Sequence, residues 1–196
     1  MSTRHRTPAE AREWEGDAPW RRESGIFVVV PIEGEAGESI RELQRRFDPK
    51  LAAALPPHIT IIGSSGAGPI APHTSLERLR DALEPVVSAT APFTLHFGVP
   101  TRFMQTEIVV LPLEPYGPLR DLHERILATG LPFARPRFAF TPHATLNFYR
   151  TLTPETRRAL LASRVTEPVA VDRIEISLTN DPQPPKKLAE LALTGR

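Results

Sequence analysis

The apolar positions of the chain fall into short strands and one-faced helices in a repeating order. Gly25-Ile26-Phe27-Val28-Val29-Val30-Pro31-Ile32 is a continuous apolar run, which predicts a strand buried on both faces. Ser39-Ile40-Arg41-Glu42 has the form of a capping box, opening a helix with Ile40, Leu43 and Phe47 on one side. A strand over about Pro57 to Gly63 follows, and Gly63-Ser64-Ser65-Gly66-Ala67-Gly68 reads as a flexible connection, having neither a phosphate-loop lysine nor dinucleotide-loop spacing. Thr74-Ser75-Leu76-Glu77 is a second capping box, with Leu76, Leu79, Leu83 and Val86 along one helix face.

The same sequence of elements then returns. Phe93 to Val99 alternates as a strand does, with Glu107 to Leu111 as its neighbour. A helix is predicted from about Tyr116 to Thr129, carrying Leu119, Leu122, Ile126 and Leu127 inward and ending at Gly130. A strand over about Phe138 to Tyr149 comes next, and Thr153-Pro154 starts a short helix. Val169 to Thr179 and Lys187 to Leu193 read as the last strands, with a parity jump that predicts a β-bulge near Asp172-Arg173. Two similar halves make an α+β domain over residues 25–196, with helices outside antiparallel-rich sheets. Residues 1–24 show no sustained apolar period and read as a flexible or loosely docked tail, with Trp14 and Trp20 as its anchoring side chains.

Composition narrows the function more than the fold. In 196 residues the net charge is +1, which argues against a dedicated binder of long nucleic acid and leaves room for a small or terminal phosphate. With no cysteine, disulfides, cysteine-ligated zinc and thiol nucleophiles are excluded. No apolar run is long enough to span a membrane and the N-terminus is charged, so a cytoplasmic, monomeric enzyme is expected.

The chemistry is concentrated in one phrase written twice. Pro57-His58-Ile59-Thr60-Ile61 returns 85 positions later as Pro142-His143-Ala144-Thr145-Leu146. On a strand, alternation puts His58 and Thr60 on one face and Ile59 and Ile61 on the other, and the second copy repeats this. A lone strand histidine is usually structural, but two copies at this separation fit a duplicated half-domain whose equivalent strands meet about a pseudo-two-fold axis. One neutral imidazole can then take a proton from water while the other, protonated, gives one to a leaving oxygen. Paired threonine hydroxyls can hold the charge on phosphoryl oxygens. His5, His73, His96 and His123 read as solvent-facing or simply hydrogen-bonded.

The two His-x-Thr-hydrophobic signatures resemble those of the 2H phosphoesterase superfamily, most closely its RNA 2′,3′-cyclic phosphodiesterase and 2′-5′ RNA ligase-like branch. The resemblance covers about Gly25 to Leu193 in the order of elements. It implies a two-lobed fold with a central cleft and a catalytic set of His58, Thr60, His143 and Thr145. It further implies substrates that are 2′,3′-cyclic phosphate ends of RNA, small cyclic nucleotides or 2′-5′ linkages. The two-histidine chemistry itself requires no metal, no close histidine pair or carboxylate cluster accompanies the motifs, and no cofactor is expected. Ligase-like members often carry arginine where this chain has Phe148, with Arg150 two residues on. Tyr149, which has the strand parity of His143 and Thr145, and Arg135, Arg137 and Arg150, which lie near the second motif in the sequence, are the expected substrate-binding residues. Two rival readings are a non-catalytic nucleotide-binding module with the same cleft, and a zinc hydrolase using His58, His143 and His96.

Overall fold

A computed structural model describes residues 24–103, 106–180 and 184–196. The expected tail, with His5, Trp14 and Trp20, lies outside them. The first half runs β1 (Gly25–Pro31), α1 (Gly34–Phe47), α2 (Pro49–Ala54), β2 (His58–Ile62) and α3 (Leu76–Ser88). The second runs β3 (Phe93–Leu95), β4 (Thr101–Arg102), β5 (Val109–Pro112), α4 (Pro118–Leu127), β6 (His143–Asn147) and α5 (Pro154–Ala162). Three strands close the chain: β7 (Val169–Val171), β8 (Arg173–Thr179) and β9 (Lys186–Ala192). The α+β class holds.

Seven strands form one sheet in the order β4-β5-β6-β2-β1-β8-β9, while β3 and β7 pair separately. All these pairings are antiparallel. The halves meet at the centre, where the two motif strands β2 and β6 are neighbours through Ile59 and Ala144. Each motif strand has its own-half partner outside it, β1 beside β2 and β5 beside β6. These partners are themselves a repeat: Val28-Val29-Val30-Pro31-Ile32 matches Val109-Val110-Leu111-Pro112-Leu113. The next backbone bond repeats too, from Ile32 N–H to Pro57 O and from Leu113 N–H to Pro142 O, each 3.0 Å.

Along β1, Ile26, Val28 and Val30 are fully buried whereas Phe27, Val29 and Pro31 are half-buried. The apolar run is thus an alternating strand with one core face and one face lining the site. Ile59, Ile61, Ile62, Ala144 and Leu146 share a buried cluster with Ile40 of α1, Leu79 and Leu83 of α3, and Leu119, Leu122 and Ile126 of α4. Burying such side chains stabilises the sheet by about 1.5–3 kcal/mol each.

Several local expectations change. Helix α1 begins five residues before the expected capping box, with Ala36 already buried, so Ser39 is mid-helix and its hydroxyl donates to Glu167 Oε1 at 3.3 Å. Gly37 permits this early turn, since a Cβ there would lie 2.4 Å from the Ile32 carbonyl oxygen. In α3 the cap is Ser75, whose Oγ accepts from Arg78 N–H, and Thr74 bonds back to Ala71 O. The strand expected over Phe93 to Val99 is confined to Phe93–Leu95. The bulge expected at Asp172-Arg173 is a break between sheets, β7 pairing with β3 and β8 with β1 and β9. The glycine-rich stretch 63–68 is an ordered element: Gly63 N–H bonds to Ala67 O, Gly66 N–H to Phe138 O and Gly68 N–H to Ala134 O.

Candidate active site

The pairing of Ile59 with Ala144 sets the geometry of the centre. In that antiparallel register His58 lies across from Thr145, and Thr60 across from His143, all four half-buried while Ile59 and Ala144 are buried behind them. The outer strands extend the grid, since Pro31 pairs with His58, Val29 with Thr60, Pro112 with His143 and Val110 with Thr145. The result is a two-fold block with histidines on one diagonal and threonines on the other. Diagonal side chains on a sheet face start about 7–8 Å apart, enough for a phosphoryl group between two imidazole tips.

Both motif strands break register at the same place. Val29 pairs with Thr60 but Val28 with Ile62, and Val110 pairs with Thr145 but Val109 with Asn147, so Ile61 and Leu146 are extra residues. Such bulges bend and twist a strand and leave backbone groups outside the ladder. Here buried side chains from the opposite half complete them. His123 of α4 donates Nδ1–H to Ile61 O at 2.8 Å, and Gln44 of α1 donates Nε2–H to Thr145 O at 2.8 Å. His123, expected on the helix surface, is 3% exposed and stacked on Phe140 with centroids 3.9 Å apart. Its pKa is lowered, first by burial, against the raising effect of the Ile61 hydrogen bond.

The two motif histidines are oriented alike. His58 Nδ1 lies 2.8 Å from Pro56 O and His143 Nδ1 2.8 Å from Thr141 O. A carbonyl can only accept, so Nδ1 carries the proton in both rings and Nε2 is the basic nitrogen of each neutral ring. The environments differ nonetheless. The Phe103 ring meets His143 edge-on, with centroids 4.9 Å apart and planes at 89°. Burial lowers the His143 pKa, the Thr141 hydrogen bond opposes this, and the neighbouring His58 charge lowers it further. Within the described residues the Thr60 and Thr145 hydroxyls are not engaged in protein hydrogen bonds.

The sequence reading missed Asp48, which is fully buried. Its Oδ1 accepts from Leu51 N–H at 3.0 Å, capping α2. Its Oδ2 accepts from Asn147 Nδ2 at 3.1 Å, Phe148 N–H at 2.7 Å and Tyr149 N–H at 2.9 Å, fastening the exit of β6. The only signal in the sequence was Asp before Pro49, a cap arrangement. Tyr149 stands beyond the Leu146 bulge and the end of β6, so strand parity with His143 does not govern it. Its ring lies under Lys50 Nζ at 4.1 Å and against Phe148 at 5.3 Å. Arg135 and Arg137 are exposed on the segment entering β6, and Arg150 is exposed just after it. His96 is exposed, and among the described residues no three His, Asp or Glu side chains are gathered to hold a metal ion. None of the described helices is long and apolar enough to cross a membrane.

A family model for the 2′-5′ RNA ligase superfamily matches residues 31–182. The chain therefore belongs to this superfamily, whose members are the 2H phosphoesterases. It is 32% identical over 105 residues to the Bacillus cytotoxicus protein "Putative phosphoesterase Bcer98_0945", a match covering 53% of this chain and 58% of that one. The fold is similar to that of TT0787 of Thermus thermophilus, with a TM-score of 0.63 and 18% identity over 87% of this chain and 98% of that one. E. coli LigT in complex with 3′-AMP superposes with a TM-score of 0.58 and 16% identity, again over 87% and 98%.

Proposed function

We propose that the protein is a phosphodiesterase that opens 2′,3′-cyclic phosphates at RNA ends or on small nucleotides. The observation carrying this reading is the two-fold grid of His58, Thr60, His143 and Thr145. His143, held neutral by burial, is the general base: its Nε2 takes a proton from water as the water oxygen bonds to phosphorus. His58 is the general acid, protonating the ribose oxygen as its bond to phosphorus breaks. The product is a ribose phosphomonoester, and the two imidazoles return to their starting states by exchanging protons with solvent. Thr60 and Thr145 donate to the non-bridging oxygens, where charge must be held. Both proton transfers and the charge stabilisation then come from the chain itself. E. coli LigT was crystallised with 3′-AMP and with phosphate, anions of the kind this grid would hold.

The test is turnover of 2′,3′-cyclic mononucleotides, RNA with a cyclic-phosphate end and 2′-5′ oligoadenylate, each with and without chelator. Opening of the cyclic phosphates that survives chelation is expected. Activity confined to 2′-5′ linkages, or abolished by chelator and restored by metal, would reject the reading.

A further inference from the structure

The segment that leads into the second motif is tied down along its length. Ala134 N–H bonds to Pro69 O at 2.9 Å, Gly68 N–H to Ala134 O at 3.0 Å and Gly66 N–H to Phe138 O at 2.8 Å. Thr141 N–H bonds to Ser65 Oγ at 3.0 Å. The stretch leaving β2 and the stretch entering β6 therefore run side by side. Because Thr60 lies across from His143, both flank that end of the grid. Phe140 turns inward and stacks on the buried His123. Phe138, two residues earlier, keeps 61% of its surface exposed, and Arg135 and Arg137 beside it are exposed as well.

An exposed aromatic ring on a tied-down segment, with two exposed arginines within three residues of it, is the set that recognises single-stranded nucleic acid: bases stack on the ring and the backbone meets the cations. We infer that Phe138, with Arg135 and Arg137, forms a subsite for the nucleotide preceding the one that carries the reacting phosphate. The substrate class is then a single-stranded RNA 3′ end of two or more nucleotides. This rests on the phosphodiesterase reading and adds a length preference to it. The ring supplies stacking of any base, so the subsite reads length and not sequence. The net charge of +1 fits a short contact of this kind rather than a long duplex track.

The experiment compares kcat/KM for a 2′,3′-cyclic mononucleotide with that for a trinucleotide ending in the same cyclic phosphate. In the native protein the trinucleotide should be favoured by about tenfold, the value of one base–aromatic stack. Phe138→Ala should bring the ratio to near one and Phe138→Trp should restore it. Arg135→Ala should lower the ratio and weaken its salt dependence. A native ratio near one, or a ratio untouched by Phe138→Ala, overturns the subsite. If neither compound is opened, the activity reading fails alone, and binding of a fluorescent 3′-phosphorylated trinucleotide decides the subsite. About tenfold weaker binding by Phe138→Ala would support it. Equal binding, or preference for duplex, would overturn it.

Discussion

Asp48 and Asn147, 99 positions apart, share a buried hydrogen bond of 3.1 Å that locks the end of α1 to the end of the second motif strand. Asn147 Nδ2 also reaches Tyr149 O at 3.0 Å and Thr151 Oγ1 at 2.9 Å, and Thr151 Oγ1 donates to Phe47 O at 2.7 Å. With Leu51, Phe148 and Tyr149 N–H groups also on its oxygens, the carboxylate satisfies four donors at once. Asp48→Ala should therefore destabilise the fold by roughly 2–4 kcal/mol, since each buried donor left without an acceptor costs about 1–3 kcal/mol and some will relax. Urea denaturation measures this. A loss below about 1 kcal/mol would mean that the β6 exit finds other partners.

Phe103 offers a way to move the proposed base, His143, without touching it. Its ring covers His143 from the β4–β5 connection, and burial is the first cause of the lowered His143 pKa. Phe103→Ala admits water, so the pKa should rise toward its ordinary value near 6.5. The neutral base would then be lost at higher pH as the solution is acidified, and the acidic limb of the kcat/KM profile should shift upward. An unshifted limb would show that Phe103 does not set the histidine's environment.

Much of this site was legible in the sequence because its information is local. A Pro-His-x-Thr-aliphatic motif written twice, on strands whose alternate residues are apolar, places His58, Thr60, His143 and Thr145 on equivalent faces without any long-range knowledge. What supports them was not legible. Gln44, His123 and Asp48 act on backbone carbonyls and amides of the other half, at sequence separations of 101, 62 and about 100 residues, and a carbonyl leaves no mark in the sequence. His123 illustrates the difficulty, because it sits beside the apolar stripe of α4 and its partner exists only once β2 bulges. The second repeat, Val28 to Ile32 with Val109 to Leu113, was readable and marks the strands that flank each motif.

The catalytic assignment makes a graded prediction. His58→Ala and His143→Ala should each lower the rate by at least about a hundredfold, and the double variant should be little worse, because the two proton transfers serve one transition state. Thr60→Ala or Thr145→Ala should cost on the order of ten- to a thousandfold, removing one donor to the phosphoryl oxygens. Melting temperatures should change little, as these four side chains lie on the site face and not in the core. Multiplying losses in the double histidine variant would argue for two independent roles.

His123 should make stability depend on pH in a direction opposite to that of a salt-bridged histidine. Its folded-state pKa is lowered, chiefly by burial, with the Arg120 charge acting in the same sense and Glu124 against it. Those two side chains pair with each other at 2.8 Å, which leaves burial as the dominant cause. Below the unfolded value of about 6.5 the unfolded chain takes up a proton that the folded chain resists, so stability falls as pH falls through that point toward the lowered folded pKa. Above it both states are neutral and the contribution is flat. A charged ring would also need a partner for Nε2–H, yet that nitrogen faces Gly66, where even a Cβ would come within 2.5 Å. His123→Phe removes the titration together with the Ile61 bond, and the lost bond costs about 1–3 kcal/mol at neutral pH through the unpaired carbonyl. The stability gap between native protein and variant, measured by urea denaturation, should narrow as pH drops from about 7.5 to about 5. A gap that stays constant would mean His123 titrates alike in the folded and unfolded chain, and its burial would then carry no pH dependence.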